Sequence, residues 1–312
     1  CLGLRVLGGV ARSIEAFAAY HRQKESLTEY LQVSAAGLAL LRRNVEVSNG
    51  PALLGALVDA CGVTHWPVGK RFSNAISKVD TGILALADQG VIQHVAAFDI
   101  FTRSLVQDLA MFSSRARAAN PELDHDHSLL QLSSGGRWVS HHCCHDLAGR
   151  LGTLSQRIAE LTSWTGWAPS AKLAPILPLF DLARSVRNKI AHDGGIVGAD
   201  LETLSTGHGV QAALAAFRAN YTRADLPELP RFRRGKPLNL NVVHAIFFGA
   251  ILYEIAREIN EYASGLIDDA EFIDMAFYYS CIVDEHPFRK TRYRLWDNPV
   301  NHFVSEGYLR QR

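Results

Sequence analysis

Apolar residues along this chain recur mostly at intervals of three and four, the spacing that collects on one face of a helix with 3.6 residues per turn. From Leu4 to about Asn49 the pattern is continuous. Ser26-Leu27-Thr28-Glu29 has the form of a capping box and predicts a helix start, opening a run through Leu31, Leu38, Leu41 and Val45 that Asn49-Gly50-Pro51 closes. Pro51 to Asp88 predicts two or three shorter helices, broken around Trp66-Pro67 and Gly69. A long helix is predicted from Gly90 to Ala119, with Val95, Phe98, Leu105, Leu109 and Phe112 on its buried side. After a polar connection from Asn120 to Gly136, a second runs from about Trp138 to Trp164 on the stripe Val139, Cys143, Leu147, Leu151, Leu154, Ile158 and Leu161.

Pro169 and Pro175 punctuate the link to a third helix, whose stripe is Leu179, Leu182, Ala183, Val186 and Ile190. Pro178 suits its first turn, and Gly194-Gly195 supplies a left-handed exit. A polar insertion, about residues 195–238, contains a short helix around Gln211 to Ala219, and a fourth long helix covers roughly Leu240 to Ser264. Beyond Ile267 the pattern changes: Phe277 to Val283 suits a strand, and Phe288 to Trp296 interleaves Arg289, Lys290, Arg292 and Arg294 with aromatics. The chain is therefore expected to be all-α, with an N-terminal helical region (1–88), a helical domain (89–265) and a small basic and aromatic appendage (266–312).

Size and composition narrow the class. With 312 residues and 48% hydrophobic content the chain can bury a substantial core, and a 20% charged fraction argues against disorder. A net charge of +1 gives no global field for a polyanion, so a nucleic acid would have to meet local basic patches. Five cysteines without a CxxC pair point to a reducing, cytoplasmic setting. The longest apolar run, Val242 to Ala256, is interrupted by His244, Tyr253 and Glu254 and is too short for a bilayer, so no membrane association is expected.

The candidate chemistry sits at the end of the third helix, in Arg187-Asn188-Lys189-Ile190-Ala191-His192. Asn188 and His192 are four apart and share a face, which Arg184 extends by a turn, while Arg187 lies at the edge of the apolar stripe and must reach over to join them. Histidine suits proton transfer near neutrality, and the planar fork of arginine suits phosphoryl oxygens.

This segment resembles the R-[polar]-x-x-x-H signature of the HEPN superfamily of small helical domains. The resemblance covers about residues 90–265 and implies a HEPN-like four-helix bundle whose third helix carries the motif. It further implies a metal-independent endoribonuclease, of the kind found in toxin–antitoxin and anti-phage defence systems, that yields 2′,3′-cyclic phosphate and 5′-hydroxyl ends. His192 would then be the general base or acid, Arg187 the clamp on transition-state charge and Asn188 the positioning residue. Arg184, Lys189, Arg231, Arg233, Arg234 and Lys236 would bind RNA. One histidine per chain is short of an acid–base pair, and in the family two motifs meet across a two-fold interface, so a homodimer through the motif-bearing helices is implied. An antitoxin or sensor protein is a further partner of such systems, and no cofactor is implied. The other functional readings are a catalytically silent HEPN-like module that binds RNA or nucleotides, and a structural helical scaffold in which Arg187 and His192 serve packing and capping.

Two other constellations invite a metal. In Ser140-His141-His142-Cys143-Cys144-His145-Asp146 the helical period sends Cys143 to the buried stripe and the histidines to the polar side, so the ligands do not converge. Asp124-His125-Asp126-His127 lies in a polar link and suits a solvated loop. Phe232, Tyr293 and Trp296, among the basic segments, suit base stacking.

Overall fold

The computed structural model describes residues 11–47, 52–53, 56, 60, 75–119, 154–221, 226–279 and 309–310. The chain is all-α, its only described sheet being a two-residue antiparallel pair, β1 (Ala11–Arg12) with β2 (Leu309–Arg310). Among the described residues the helices are α1 (Glu15–Val47), α2 (Ala75–Phe112), α3 (Ser114–Ala119), α4 (Leu154–Thr165), α5 (Leu177–Asp193), α6 (Ala199–Thr206), α7 (His208–Tyr221), α8 (Val242–Ser264) and α9 (Asp269–Tyr278).

Several expected boundaries move. Ser26-Leu-Thr-Glu29 does not open a helix, because α1 is already in progress from Glu15. In mid-helix the backbone N–H groups already have partners four residues back, so a capping box has nothing to satisfy. The expected boundary at 88 falls inside α2, which runs through Gly90 and stops at Phe112, where Ser113 interrupts it before α3. The insertion after the motif holds two helices rather than one, since α6 precedes α7. Phe277 and Tyr278 close α9 rather than begin a strand. The start of the expected Trp138–Trp164 helix, the segments 124–127 and 140–146, and the basic stretch 289–294 lie outside the described residues.

The chain forms two compact units, residues 1–23, 97–170 and 253–312 in one and residues 24–96 and 171–252 in the other, so α1, α2 and α8 are each divided between them. In the first unit the start of α1 is closed by side chains distant in sequence. Asn260 accepts the Ile14 N–H at 3.0 Å and Asp108 accepts the Ala16 N–H at 2.9 Å, filling positions that a helix N-terminus leaves orphaned. Tyr279 donates its hydroxyl to the other Asp108 oxygen at 2.6 Å. Burial pushes the Asp108 carboxyl up to about 7 despite these two donors. Phe17, Tyr20, Phe98 and Phe101 form a contiguous aromatic cluster in the same unit.

In the second unit small residues set how closely helices approach. A Cβ at Gly90 would stand 2.9 Å from the Ala245 Cβ and 3.0 Å from Leu31. A Cβ at Gly249 would stand 2.5–2.7 Å from ring atoms of His94, so the imidazole lies directly over α8. Arg42 reaches from α1 to Asp80 of α2 at 2.7 Å. Among the described residues one helix, α2, is long and apolar enough to cross a membrane, whereas the sequence singles out Val242 to Ala256. Its Ala87, Val91, Val95, Phe98 and Leu105 are buried, as in the core helix of a folded domain.

Candidate active site

The motif helix forms as its pattern predicts. Leu179, Leu182, Ala183 and Val186 are fully buried, and Pro178 occupies the second helical position. At the far end Gly194 adopts φ 60° and ψ 28°, and the Gly195 N–H returns to the Lys189 carbonyl at 2.9 Å. That closes the left-handed turn which glycine enters without a Cβ penalty. The 3₁₀ turn Ala174–Ile176 leads into α5, and α6 and α7 from the insertion pack along it.

Arg187 does join the polar face. Its Nη1 donates to the Asn188 Oδ1 at 3.1 Å, and its Nε is buried without a hydrogen-bond partner among the described residues. Asn188 and His192 are exposed, one turn apart, with His192 in the last turn of α5, where the helix dipole favours a cation. Arg184 pairs with Asp181 at 3.4 Å.

Lys189 is differently placed. Its ammonium stands 2.9 Å from Asp193 and 3.1 Å from Asp200. Hydrogen bonds to these two carboxylates raise the lysine above its ordinary value, and the same contact lowers Asp200. A Cβ at Gly198 would collide with Asp200 Oδ1 and lie 2.8 Å from the Lys189 Nζ, so the ion pair packs directly against the backbone of this glycine. A phosphate could engage Lys189 only by displacing those carboxylates. Neither acidic partner is signalled by the motif; Asp193 lies one i,i+4 step from the lysine, and Asp200 in the first turn of α6 is the cue that marks a helix N-terminus.

The basic segment lies beside the exit of this helix although it is remote in sequence. The Leu238 N–H donates to the Gly195 carbonyl at 3.0 Å, the Val197 N–H to the Lys236 carbonyl at 2.9 Å, and the Gly235 N–H to the Val197 carbonyl at 2.9 Å. With the isolated antiparallel bridge between Ile196 and Pro237, these bonds pin the segment 235–238 against the chain leaving the motif helix, next to a turn in which Gly235 takes φ 73°. The turn itself is closed by the Lys236 N–H on the Arg233 carbonyl at 3.0 Å, and Glu202 of α6 accepts the Arg234 N–H at 3.2 Å. Arg231, Arg233, Arg234 and Lys236 are all exposed. Phe232 is not available to stack on a base: it is 2% exposed and anchors the loop, buried between the exposed Arg231 and Arg233.

The structure thus gathers Arg187, Asn188 and His192 on one helix end, sets the four-cation segment beside the chain leaving it, and leaves Lys189 tied to carboxylates. No protein-family model, no curated protein and no solved structure matches the chain.

Proposed function

We propose that this chain is a HEPN-like, metal-independent endoribonuclease acting as a cytoplasmic toxin or anti-phage effector, with its α-helical bundle assembled as a homodimer through the α5 helices. The observation that carries the reading is the pairing of Arg187 with Asn188 at 3.1 Å, with His192 exposed one turn beyond at the helix end. In the first step an imidazole takes the proton of the RNA 2′-hydroxyl as that oxygen attacks the adjacent phosphorus. The P–O5′ bond breaks, and a second proton donor protonates the departing 5′-oxygen, leaving a 2′,3′-cyclic phosphate. His192 from each of two copies supplies the base and the acid. The Arg187 guanidinium stabilises the extra charge on the equatorial oxygens and Asn188 holds it in line. Arg184 and the turn carrying Arg231, Arg233, Arg234 and Lys236 bind flanking phosphates.

The test is incubation of the full chain with single-stranded RNA in EDTA. Cleavage that persists in chelator, ends in cyclic phosphate and disappears in His192→Ala with RNA affinity retained supports the enzyme. Binding without cleavage by the unaltered chain reassigns it as an RNA-binding module, and absence of both leaves a scaffold.

A further inference from the structure

The outward side of α1 carries a second pattern that the core does not use. In the 24–47 part of this helix the core takes Leu27, Leu31 and Val45, while Tyr30, Val33, Leu40 and Val47 are 55, 73, 60 and 78% exposed. Together with exposed Gly37 and Asn44 they fall at 30, 33, 37, 40, 44 and 47, in alternating steps of three and four. That is the 3.5-residue period of a coiled-coil seam, with an asparagine at one of its a positions. No charged residue lies between Glu29 and Arg42. Large apolar side chains so regularly spaced on a solvent face are the mark of a partner helix.

We propose that this seam pairs with α1 of a second copy of the chain, antiparallel, about a two-fold axis at residue 35. Size, polarity and charge each select that occupant and that direction. In this register Val33 faces Gly37 of the second copy and Tyr30 faces its Leu40. Nothing stands within 4 Å of where a Gly37 Cβ would be, so that position offers the hole into which the facing side chain fits. Ser26 meets Asn44 at each end of the apolar layers, placing polar opposite polar. Glu29 and Arg43 flank the seam, and antiparallel pairing sets Glu29 of each copy beside Arg43 of the other, twice. Both are exposed, and neither is drawn into an ion pair among the described residues. Parallel pairing would instead oppose Gly37 to Gly37 and set Glu29 beside Ser34, leaving the hole empty and the charges unmatched. The interface is separate from the α5 contact and does not depend on the ribonuclease reading.

Sedimentation velocity of the full chain over a concentration series tests it, with circular dichroism to confirm folding of each variant. The chain is expected to self-associate, and Leu40→Glu, an exposed position, to weaken association by about tenfold or more because a carboxylate is driven into an apolar layer. Glu29→Arg and Arg43→Glu should each weaken it by about threefold, and the double exchange should restore it. Ala36→Cys, which flanks the two-fold axis, should be joined to its own counterpart by a short bismaleimide when the unaltered chain is not. A chain that stays monomeric at about 100 µM, association unaffected by Leu40→Glu, or a double charge exchange no better than either single one overturns the proposal. Association lost only on α5 variants overturns it too, by placing the contact at the motif.

Discussion

Leu238 donates its backbone N–H to the carbonyl of Gly195 at 3.0 Å, and this bond ties the end of the basic turn to the residue that ends the motif helix. Gly195 is the second of two consecutive glycines with positive φ, so the chain leaving α5 reverses there and presents its carbonyl to the returning segment. The basic turn is therefore held against the chain leaving α5 by backbone bonds rather than by its own flexible side chains.

If that turn binds RNA, its removal should be visible in salt dependence. Replacing Arg233, Arg234 and Lys236 with alanine should lower the slope of log affinity against log salt by about 0.7 per cation on a single strand. Lys189→Ala should leave the slope unchanged, because that ammonium is already neutralised by Asp193 and Asp200. Fluorescence anisotropy titrations at several salt concentrations check both.

The Gly194 turn predicts a backbone cost. At φ 60° an L side chain is strained, so Gly194→Ala should destabilise the chain by about 1 kcal/mol even though nothing stands within 4 Å of the added methyl. Urea unfolding measures it, and a loss of RNA cleavage beyond the loss of stability would show that His192 depends on this turn for its position.

Asp108 predicts a stability that improves on mild acidification. Its folded carboxyl lies near 7 against an ordinary value of 3.8, so the folded chain holds the proton more tightly than the unfolded one. The associated stability is complete below about pH 4 and is lost as pH rises through 7. Asp108→Asn keeps an acceptor for the Ala16 N–H and should flatten that slope in urea midpoints taken from pH 4 to 8.

His94 acts in the opposite direction. Burial first, and the Lys24 charge second, lower its imidazole from 6.5 to about 4, and neither ring nitrogen has a partner among the described residues. Its contribution is complete above pH 6.5 and is lost as pH falls towards 4 and through it, when the unfolded chain takes the proton first. His94→Phe should remove this acid-side loss. Gly249→Ala, which drives a methyl against the ring, should cost about 1–3 kcal/mol at any pH.

The amphipathic pattern was sufficient for the helices whose apolar residues face one neighbour. The stripe Leu179, Leu182, Ala183, Val186 predicted α5, and the proline and glycine at its ends marked both limits, because those two residues restrict or free φ without help from the rest of the fold. Local chemistry misled where a helix continued through a stop or start signal. Ser26 to Glu29 and Asp88 to Gly90 lie inside α1 and α2, since packing on both sides of a long helix outweighs the cost of one glycine or the attraction of one cap.

Sequence alone determined that this chain is helical, that Asn188 and His192 share a face, and where that helix ends. Those are properties of neighbours within a turn or two, fixed by the helical period and by backbone dihedral limits. Only the tertiary structure decided that Lys189 is held by Asp200, that Phe232 is an anchor rather than a stacking surface, and that the basic turn returns to Gly195. Each of these joins elements separated by loops, and burial and hydrogen-bond satisfaction choose among such pairings only when the whole core is in place.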